Sequence, residues 1–185
     1  MTVTDKECAT LNKILMNSKS SDEIVKSIID IEFELLEISG DPAHPGFLGA
    51  TFKKIGENEI VIAHRGTAPR WCMTSKLEEV ARCPKVFGKD VKDDLRIMRD
   101  EAPKQMHRSD TLLANAKSKY PDHKIVSTGF SLGAVYAELL GIKEGIRAVS
   151  FDSPGIKDLI VANFGYKVLE RNKHLVKLYK TAPNL

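Results

Sequence analysis

The chain has 185 residues, of which 42% are hydrophobic and 29% charged, so it is long enough to form one soluble domain with a buried core. The net charge is only +3, and the seven basic residues between Lys85 and Arg108 are interleaved with five acidic ones, which argues against a nucleic-acid-binding surface. Three cysteines without a C-x-x-C pair favour free thiols over a disulfide or metal framework. The lack of a signal peptide or a transmembrane segment predicts a cytoplasmic protein, and the alternative is secretion by a route that needs no signal peptide.

The N-terminal region is predicted to be helical. Residues 5–17 read as a short helix, and Ser20 with Glu23 forms the capping box of a second one. Apolar residues then recur at helical spacing as far as Ile38. They are Ile24, Val25, Ile28, Ile29, Leu35 and Leu36. A loop rich in glycine and proline ends this region, and His44 within it is interpreted as a surface residue.

Two apolar strands follow, over residues 47–54 and 59–63, and the short connection between them predicts antiparallel pairing. The second strand leads into Arg65, Gly66 and Thr67, a glycine turn followed by a hydroxyl residue. In hydrolases whose nucleophilic serine lies on a tight turn between a strand and a helix, the loop after an earlier strand supplies one backbone N–H donor to the oxyanion. The Thr67 N–H is therefore a candidate oxyanion donor. The alternative is an ordinary strand that ends in a glycine turn. Arg65 is expected to contact carbonyl oxygens or to form an ion pair rather than to bind a substrate.

The most informative segment is Gly129-Phe130-Ser131-Leu132-Gly133. It joins an apolar strand over residues 124–128 to a helix that begins near Ala134. In a G-x-S-x-G turn of this kind the serine backbone is strained, and the glycines are required because strand and helix nearly touch. Ser131 is therefore the candidate nucleophile, and the N–H of Leu132 is the other candidate oxyanion donor. The alternative is a glycine-rich start of a helix with a serine at its cap.

The remaining elements predict the fold class. A helix is expected over residues 109–120, a strand over 146–151, a helix over 155–164 and a last strand over 175–180. Strands that alternate with helices predict a mostly parallel sheet with right-handed crossovers and flanking helices. The fold class is therefore α/β.

A serine nucleophile needs a histidine base and an acid that orients it. Only His174 follows Ser131 in the chain, and its place before the last strand predicts that it lies at the opposite end of the sheet. His64, at the end of an earlier strand, is a second candidate base. Asp152 is the best candidate acid because it ends the strand next to the elbow strand. The alternative is that Asp152 caps the turn or helix that follows it.

Together these segments resemble the class 3 lipase family of the α/β-hydrolase fold. The family's strand with an R-G-[ST] loop matches residues 63–67, its G-x-S-L-G elbow matches 129–133, and its F-x-S-P or F-x-x-P-G turn matches 151–155. The resemblance covers residues 45–185. The departures from the family pattern are Phe130, Ala134 and His64. They leave the nucleophile and both oxyanion donors in place.

The resemblance implies a serine ester hydrolase that acts on a lipid or acyl ester, without cofactor or metal and with no more than transient contact with a membrane surface. We expect a single domain over residues 1–185, with N-terminal helices over 1–40 and an α/β-hydrolase core over 45–185. In the family the acid and the base follow the strand matched by 175–180, so we expect a C-terminally truncated domain. The alternative function is a degenerate hydrolase without turnover, either a binding module or a non-functional fragment.

Overall fold

A mixed six-stranded sheet forms the centre of the computed structural model, which describes residues 2–44, 46–66 and 103–180. The strands lie side by side in chain order. They are β1 (Phe33–Ser39), β2 (Gly49–Lys54), β3 (Glu59–His64), β4 (Lys124–Phe130), β5 (Arg147–Phe151) and β6 (Val176–Tyr179). The first three strands pair antiparallel, and β3 to β6 pair in parallel. This arrangement confirms the predicted mostly parallel α/β sheet with flanking helices.

Helices cover both faces of the sheet. They are α1 (Asp5–Asn17), α2 (Ser21–Ile29), α3 (Met106–Lys119), α4 (Leu132–Glu144), α5 (Lys157–Phe164) and α6 (Tyr166–Asn172), with a 3-10 turn at Lys173–Leu175. In β3, Val61 and Ala63 belong to the core cluster that contains α1 and α2, whereas Ile60 and Ile62 belong to the cluster that contains α3 to α6. This alternation is the period of two that a strand buried on both faces requires. None of the helices in the described ranges is long and apolar enough to cross a membrane.

The N-terminal region is helical only in part. Helix α1 coincides with the predicted helix, and α2 begins after Ser20, whose hydroxyl accepts the Glu23 N–H at 3.2 Å. The predicted continuation of this helix to Ile38 is wrong, because α2 ends at Ile29 and the chain then forms β1. Glu32, with a φ of 60°, turns the chain between the two elements. The apolar residues after Glu32 are compatible with either a helix or a strand. This segment is a strand because its backbone forms hydrogen bonds with β2.

The other predicted elements that fall within the described residues are confirmed. Strands β2 and β3 pair antiparallel, and β4, β5 and β6 lie within two residues of their predicted bounds. Helix α3 starts three residues before the predicted residue 109. Helix α4 ends at Glu144, and its C-cap Gly145 adopts a left-handed conformation. The segment 67–102 lies outside the described residues.

Candidate active site

The turn between β4 and α4 has the conformation of a strained elbow. Ser131 is the single residue between the end of β4 and Leu132, the first residue of α4. Its backbone has a φ of 53° and a ψ of −119°, a region that residues other than glycine rarely adopt. The side chain is half-buried, at the edge of the sheet where the parallel strands end, here called the carboxyl edge. The elbow thus presents a serine hydroxyl at the carboxyl edge.

Close backbone contacts exclude any side chain at both elbow glycines. A β-carbon built on Gly129 would lie 2.0 Å from the carbonyl oxygen of Gly133. One built on Gly133 would lie 2.2 Å from the carbonyl oxygen of His64. Real β-carbon contacts are essentially never this short, so strand β4, helix α4 and the end of β3 meet with no space for a side chain. This agrees with the reason given above for small residues at these positions.

The loop after β3 passes directly beside the serine. A β-carbon on Gly66 would lie 2.5 Å from the Phe130 carbonyl oxygen and 3.4 Å from the Ser131 β-carbon. The next residue, Thr67, lies outside the described residues. Leu132 begins α4, and the first N–H groups of a helix have no acceptor within the helix and carry its positive dipole end. The predicted donor loop and the first turn of α4 therefore converge on Ser131.

Asp152 lies on the neighbouring strand end. The Ser131 N–H donates to the carbonyl oxygen of Phe151 at 2.9 Å, so Asp152 directly follows a hydrogen-bond partner of the elbow. The Asp152 N–H donates to the Tyr179 carbonyl oxygen at 2.8 Å, and its φ of 52° is left-handed. The side chain is half-buried. The structure thus brings Asp152 to the carboxyl edge beside the elbow.

The His64 ring is not directed at the serine. It is fully buried, and its Nδ1–H donates to the Thr128 carbonyl oxygen at 3.0 Å. Its Nε2 then accepts from the Ser109 hydroxyl at 2.7 Å, so both ring nitrogens are engaged elsewhere. Burial lowers the pKa of His64 to about 4, although the bond to Thr128 opposes this shift. A neutral core histidine with two partners does not fit the role of base that the sequence suggested for it.

The other histidines lie in two places. His174 is exposed in the 3-10 turn that precedes β6, at the amino end of the sheet, as predicted. His123 is half-buried at the same end, directly before β4. His44 and His107 are exposed nearer the carboxyl edge. His44 pairs with Asp41 at 2.6 Å in the loop before β2, and His107 lies at the start of α3 with its Nδ1–H donating to the Lys104 carbonyl oxygen at 3.0 Å. Sequence order had directed attention away from His107, which precedes the elbow in the chain.

Arg65 has a structural role, in agreement with the expected carbonyl contacts. The side chain is buried, and its guanidinium donates to the carbonyl oxygens of three residues in the loop before β2. They are Pro42 at 3.0 Å, His44 at 2.6 Å and Gly46 at 3.2 Å. Arg65 therefore ties that loop to the strand end from which the predicted donor loop departs.

Sequence reasoning missed a buried carboxyl group behind the elbow. Glu138 lies on α4, seven residues after Ser131, and is 7% exposed. Burial raises the pKa of its carboxyl group, while the nearby hydroxyl groups of Ser150 and Ser153 and the positive charge of Lys180 oppose the shift. Its Oε1 atom is buried without a hydrogen-bond partner among the described residues. A single glutamate within the apolar run Ala134–Ile142 was the available signal.

A strained strand–serine–helix elbow at the carboxyl edge of a mostly parallel sheet defines an α/β-hydrolase-like fold. No model of a known protein family matches the chain, and no curated protein matches its sequence. The solved structures to which it is similar include fungal lipases.

Two of these lipases have TM-scores that indicate the same fold. The Lip2 lipase from Yarrowia lipolytica matches with a TM-score of 0.53 and 17% identity, over 95% of this chain and 68% of the lipase. Lipase II from Rhizopus niveus matches with a TM-score of 0.50 and 14% identity, over 96% of this chain and 72% of the lipase. At such identities the likeness shows the fold alone. Within the described residues no cluster of three or more histidine, cysteine or acidic side chains is placed to hold a metal ion.

Proposed function

We propose that the protein is a serine ester hydrolase in which Ser131 is the nucleophile. The single observation that carries the proposal is the φ of 53° and ψ of −119° at Ser131, held by the contacts of Gly129 and Gly133. Such strain is retained where the surrounding structure over-determines it, and it is concentrated at functional sites. The backbone N–H groups of Leu132 and Thr67 are the proposed oxyanion donors.

The proposed reaction has two steps. The Ser131 hydroxyl oxygen attacks the ester carbonyl, its proton passes to a base, and the negative charge on the carbonyl oxygen is stabilised by backbone N–H donors at the start of α4. The alcohol leaves with a proton, and an acyl group remains on Ser131. Water then attacks the acyl group, releasing the carboxylic acid and restoring the serine. Asp152 is the proposed acid of this site because it lies on the neighbouring strand end.

We propose a lipid or acyl ester as the substrate class. The proposal is supported by the motif resemblance over residues 45–185 and by the fold that the chain shares with two proteins named as lipases. Neither observation specifies the acyl chain or the head group. The class is therefore tested with esters of increasing chain length.

A second candidate function is a degenerate hydrolase that binds but does not turn over. All five histidines of the chain lie in the described residues. None of the hydrogen bonds found among those residues joins a histidine to Ser131. A nucleophile without a base retains only the catalysis of the oxyanion site and of substrate binding. This observation favours weak turnover by the present chain.

A fluorophosphonate probe tests the nucleophile. We expect labelling of the intact chain at Ser131 and none in the Ser131→Ala variant. Single His→Ala changes at positions 44, 64, 107, 123 and 174 identify any base, because only the variant that lacks it loses labelling while remaining folded. Labelling that survives Ser131→Ala would contradict the proposed nucleophile.

Turnover separates the two candidate functions. We expect the chain to hydrolyse p-nitrophenyl esters close to the limit of detection, and His174→Ala to change nothing, because His174 lies at the opposite end of the sheet. Saturable activity that Ser131→Ala abolishes would instead exclude the degenerate alternative. A series from acetate to decanoate esters then tests whether a lipid-like acyl chain is preferred.

A further inference from the structure

We propose that His64 and Ser109 are positioning residues which hold the end of β4 beneath the Ser131 elbow. The inference rests on the proposed function, because the position of the elbow matters to chemistry only if Ser131 is the nucleophile. The His64 ring is not directed at the serine, so this role differs from that of a base.

The first contact joins the His64 ring to the backbone of β4. Its Nδ1 lies 3.0 Å from the Thr128 carbonyl oxygen, which can only accept, so the proton of the neutral ring is on Nδ1. In the parallel ladder His64 pairs with Gly129, which follows Thr128 and is the first residue of the elbow. The ring is therefore bonded to β4 three residues before Ser131.

The second contact comes from helix α3 and orients the ring. The Ser109 Oγ lies 2.7 Å from Nε2 of His64, and both side chains are fully buried. With the proton on Nδ1, the Nε2 atom accepts and the Ser109 hydroxyl donates. The two bonds together fix the rotation of the ring. Loss of the Ser109 bond would leave a buried acceptor unpaired and the ring free to turn away from Thr128.

The packing of His64 extends the contact to helix α4. The Tyr136 ring stacks on the imidazole with ring centres 6.0 Å apart, and the Phe47 ring meets it edge-on at 6.1 Å. Tyr136 lies on α4, five residues after Ser131. The His64 backbone touches the first turn of the same helix, because a β-carbon on Gly133 would lie 2.2 Å from its carbonyl oxygen. His64 therefore contacts both the strand that enters the elbow and the helix that leaves it.

Thr128 is also held from the opposite face of the sheet. Its hydroxyl donates to the Val149 carbonyl oxygen at 2.7 Å and accepts from the side-chain amide of Asn12, on α1, at 2.8 Å. A continuous series of hydrogen bonds thus runs from α3 through the sheet to α1. The strained backbone of the elbow persists only while its neighbours enforce it. We therefore expect a change at the Thr128 carbonyl group to reach the elbow.

The test uses a matched pair of serine substitutions. Ser109→Ala removes the hydroxyl that orients the ring. Ser127→Ala makes the same change at a fully buried serine of β4 whose Oγ has no hydrogen-bond partner among the described residues. At His64, the Asn variant keeps a donor for Thr128, because the amide nitrogen of asparagine and Nδ1 of histidine are both bonded to Cγ. His64→Leu removes that donor.

Two measurements are made on each variant. Amide hydrogen exchange is followed at Ser131 and Ala134, whose N–H groups donate to the carbonyl oxygens of Phe151 and Ser131, each at 2.9 Å. The reference is the amide of Ile55, which follows β2 at the opposite end of the sheet. Fluorophosphonate labelling is measured against probe concentration, which separates the maximal rate of labelling from the affinity for the probe.

We expect Ser109→Ala and His64→Leu to increase exchange at Ser131 and Ala134 by about tenfold, with exchange at Ile55 unchanged. The maximal rate of labelling should fall by about tenfold at unchanged affinity, since a displaced elbow misaligns the reacting oxygen. Ser127→Ala should behave as the parent. His64→Asn should recover most of what His64→Leu loses, which a base could not do.

Three results would overturn the inference. They are unchanged Ser131 exchange in Ser109→Ala, an equal increase in Ser127→Ala, and complete loss of labelling in His64→Asn, which would make His64 a base. Should His64→Leu fail to fold, the serine pair decides alone. A parent protein that the probe never labels refutes the proposed nucleophile instead, while exchange still decides whether Ser109 and His64 hold the elbow.

Discussion

Ser131 and Asp152 adopt matching left-handed φ angles, 53° and 52°, at the carboxyl ends of the neighbouring parallel strands β4 and β5. They are connected through one hydrogen bond, from the Ser131 N–H to the carbonyl oxygen of Phe151, the residue before Asp152. Two strained non-glycine residues are thus linked at the carboxyl edge by a hydrogen bond from Ser131 to the residue before Asp152. Their strain has consequences for stability that can be measured.

Replacing Ser131 with glycine should stabilise the fold relative to Ser131→Ala. Glycine adopts a φ of 53° without a steric penalty, whereas alanine keeps the strain. We expect a difference of about 1 kcal/mol in the free energy of unfolding, after allowing for the greater chain entropy of glycine in the unfolded state. Urea denaturation of both variants measures it. Equal midpoints would show that the elbow is not strained.

Gly133→Val should destabilise the protein severely. The first atom of any side chain would lie 2.2 Å from the His64 carbonyl oxygen, and backbone on both sides prevents relief. We expect a loss of about 3 kcal/mol or more. Gly56→Ala is the control, because Gly56 has a φ of 78° but no atom within 4 Å of a β-carbon, so its cost should be only about 1 kcal/mol. Similar losses at the two positions would contradict the close contact at the elbow.

Stability should fall as the pH falls from 6.5 to 4 because of His64. Its pKa is about 4 in the folded protein and 6.5 without burial, so the unfolded chain binds the additional proton within this range. The stabilisation is complete above pH 6.5 and is lost progressively down to pH 4, by about 3 kcal/mol in all. Urea denaturation as a function of pH measures the slope.

A histidine substitution isolates this contribution. His64→Gln should flatten the pH dependence while lowering stability at neutral pH, and His107→Gln, at an exposed histidine, should leave the slope unchanged. A slope that persists in folded His64→Gln would assign the acid sensitivity to other groups.

Arg65→Met should loosen the loop before β2. The change removes a charged donor from three carbonyl oxygens while keeping most of the buried apolar stem. We expect a loss of about 3 kcal/mol and proteolytic cleavage within residues 40–46. Arg65→Lys should rescue little, since one ammonium cannot reproduce the fork of the guanidinium. Arg171→Met, at an exposed arginine, serves as the control, and equal protease resistance in all variants would contradict a role for Arg65 in holding the loop.

The elbow was predictable because everything that specifies it is local. An apolar strand, glycines two residues before and after a serine, and a helix that follows directly are all read within some twenty residues. The alternation of strands and helices likewise predicted the parallel sheet, since short crossovers admit few topologies. Asp152 was placed correctly at the carboxyl edge for the same reason.

Three features were decided only by contacts between distant parts of the chain. Leu35 and Leu36 match helical spacing, yet the hydrogen bonds of β1 with β2 make this segment a strand. His64 ends its strand where a base could lie, but bonds to Thr128 and Ser109 turn its ring into the core. A local pattern specifies backbone geometry, whereas the direction and protonation of a buried side chain depend on partners that the fold brings from 45 and 64 residues away. For the same reason the burial of Glu138 became visible only once α4 had packed against β5.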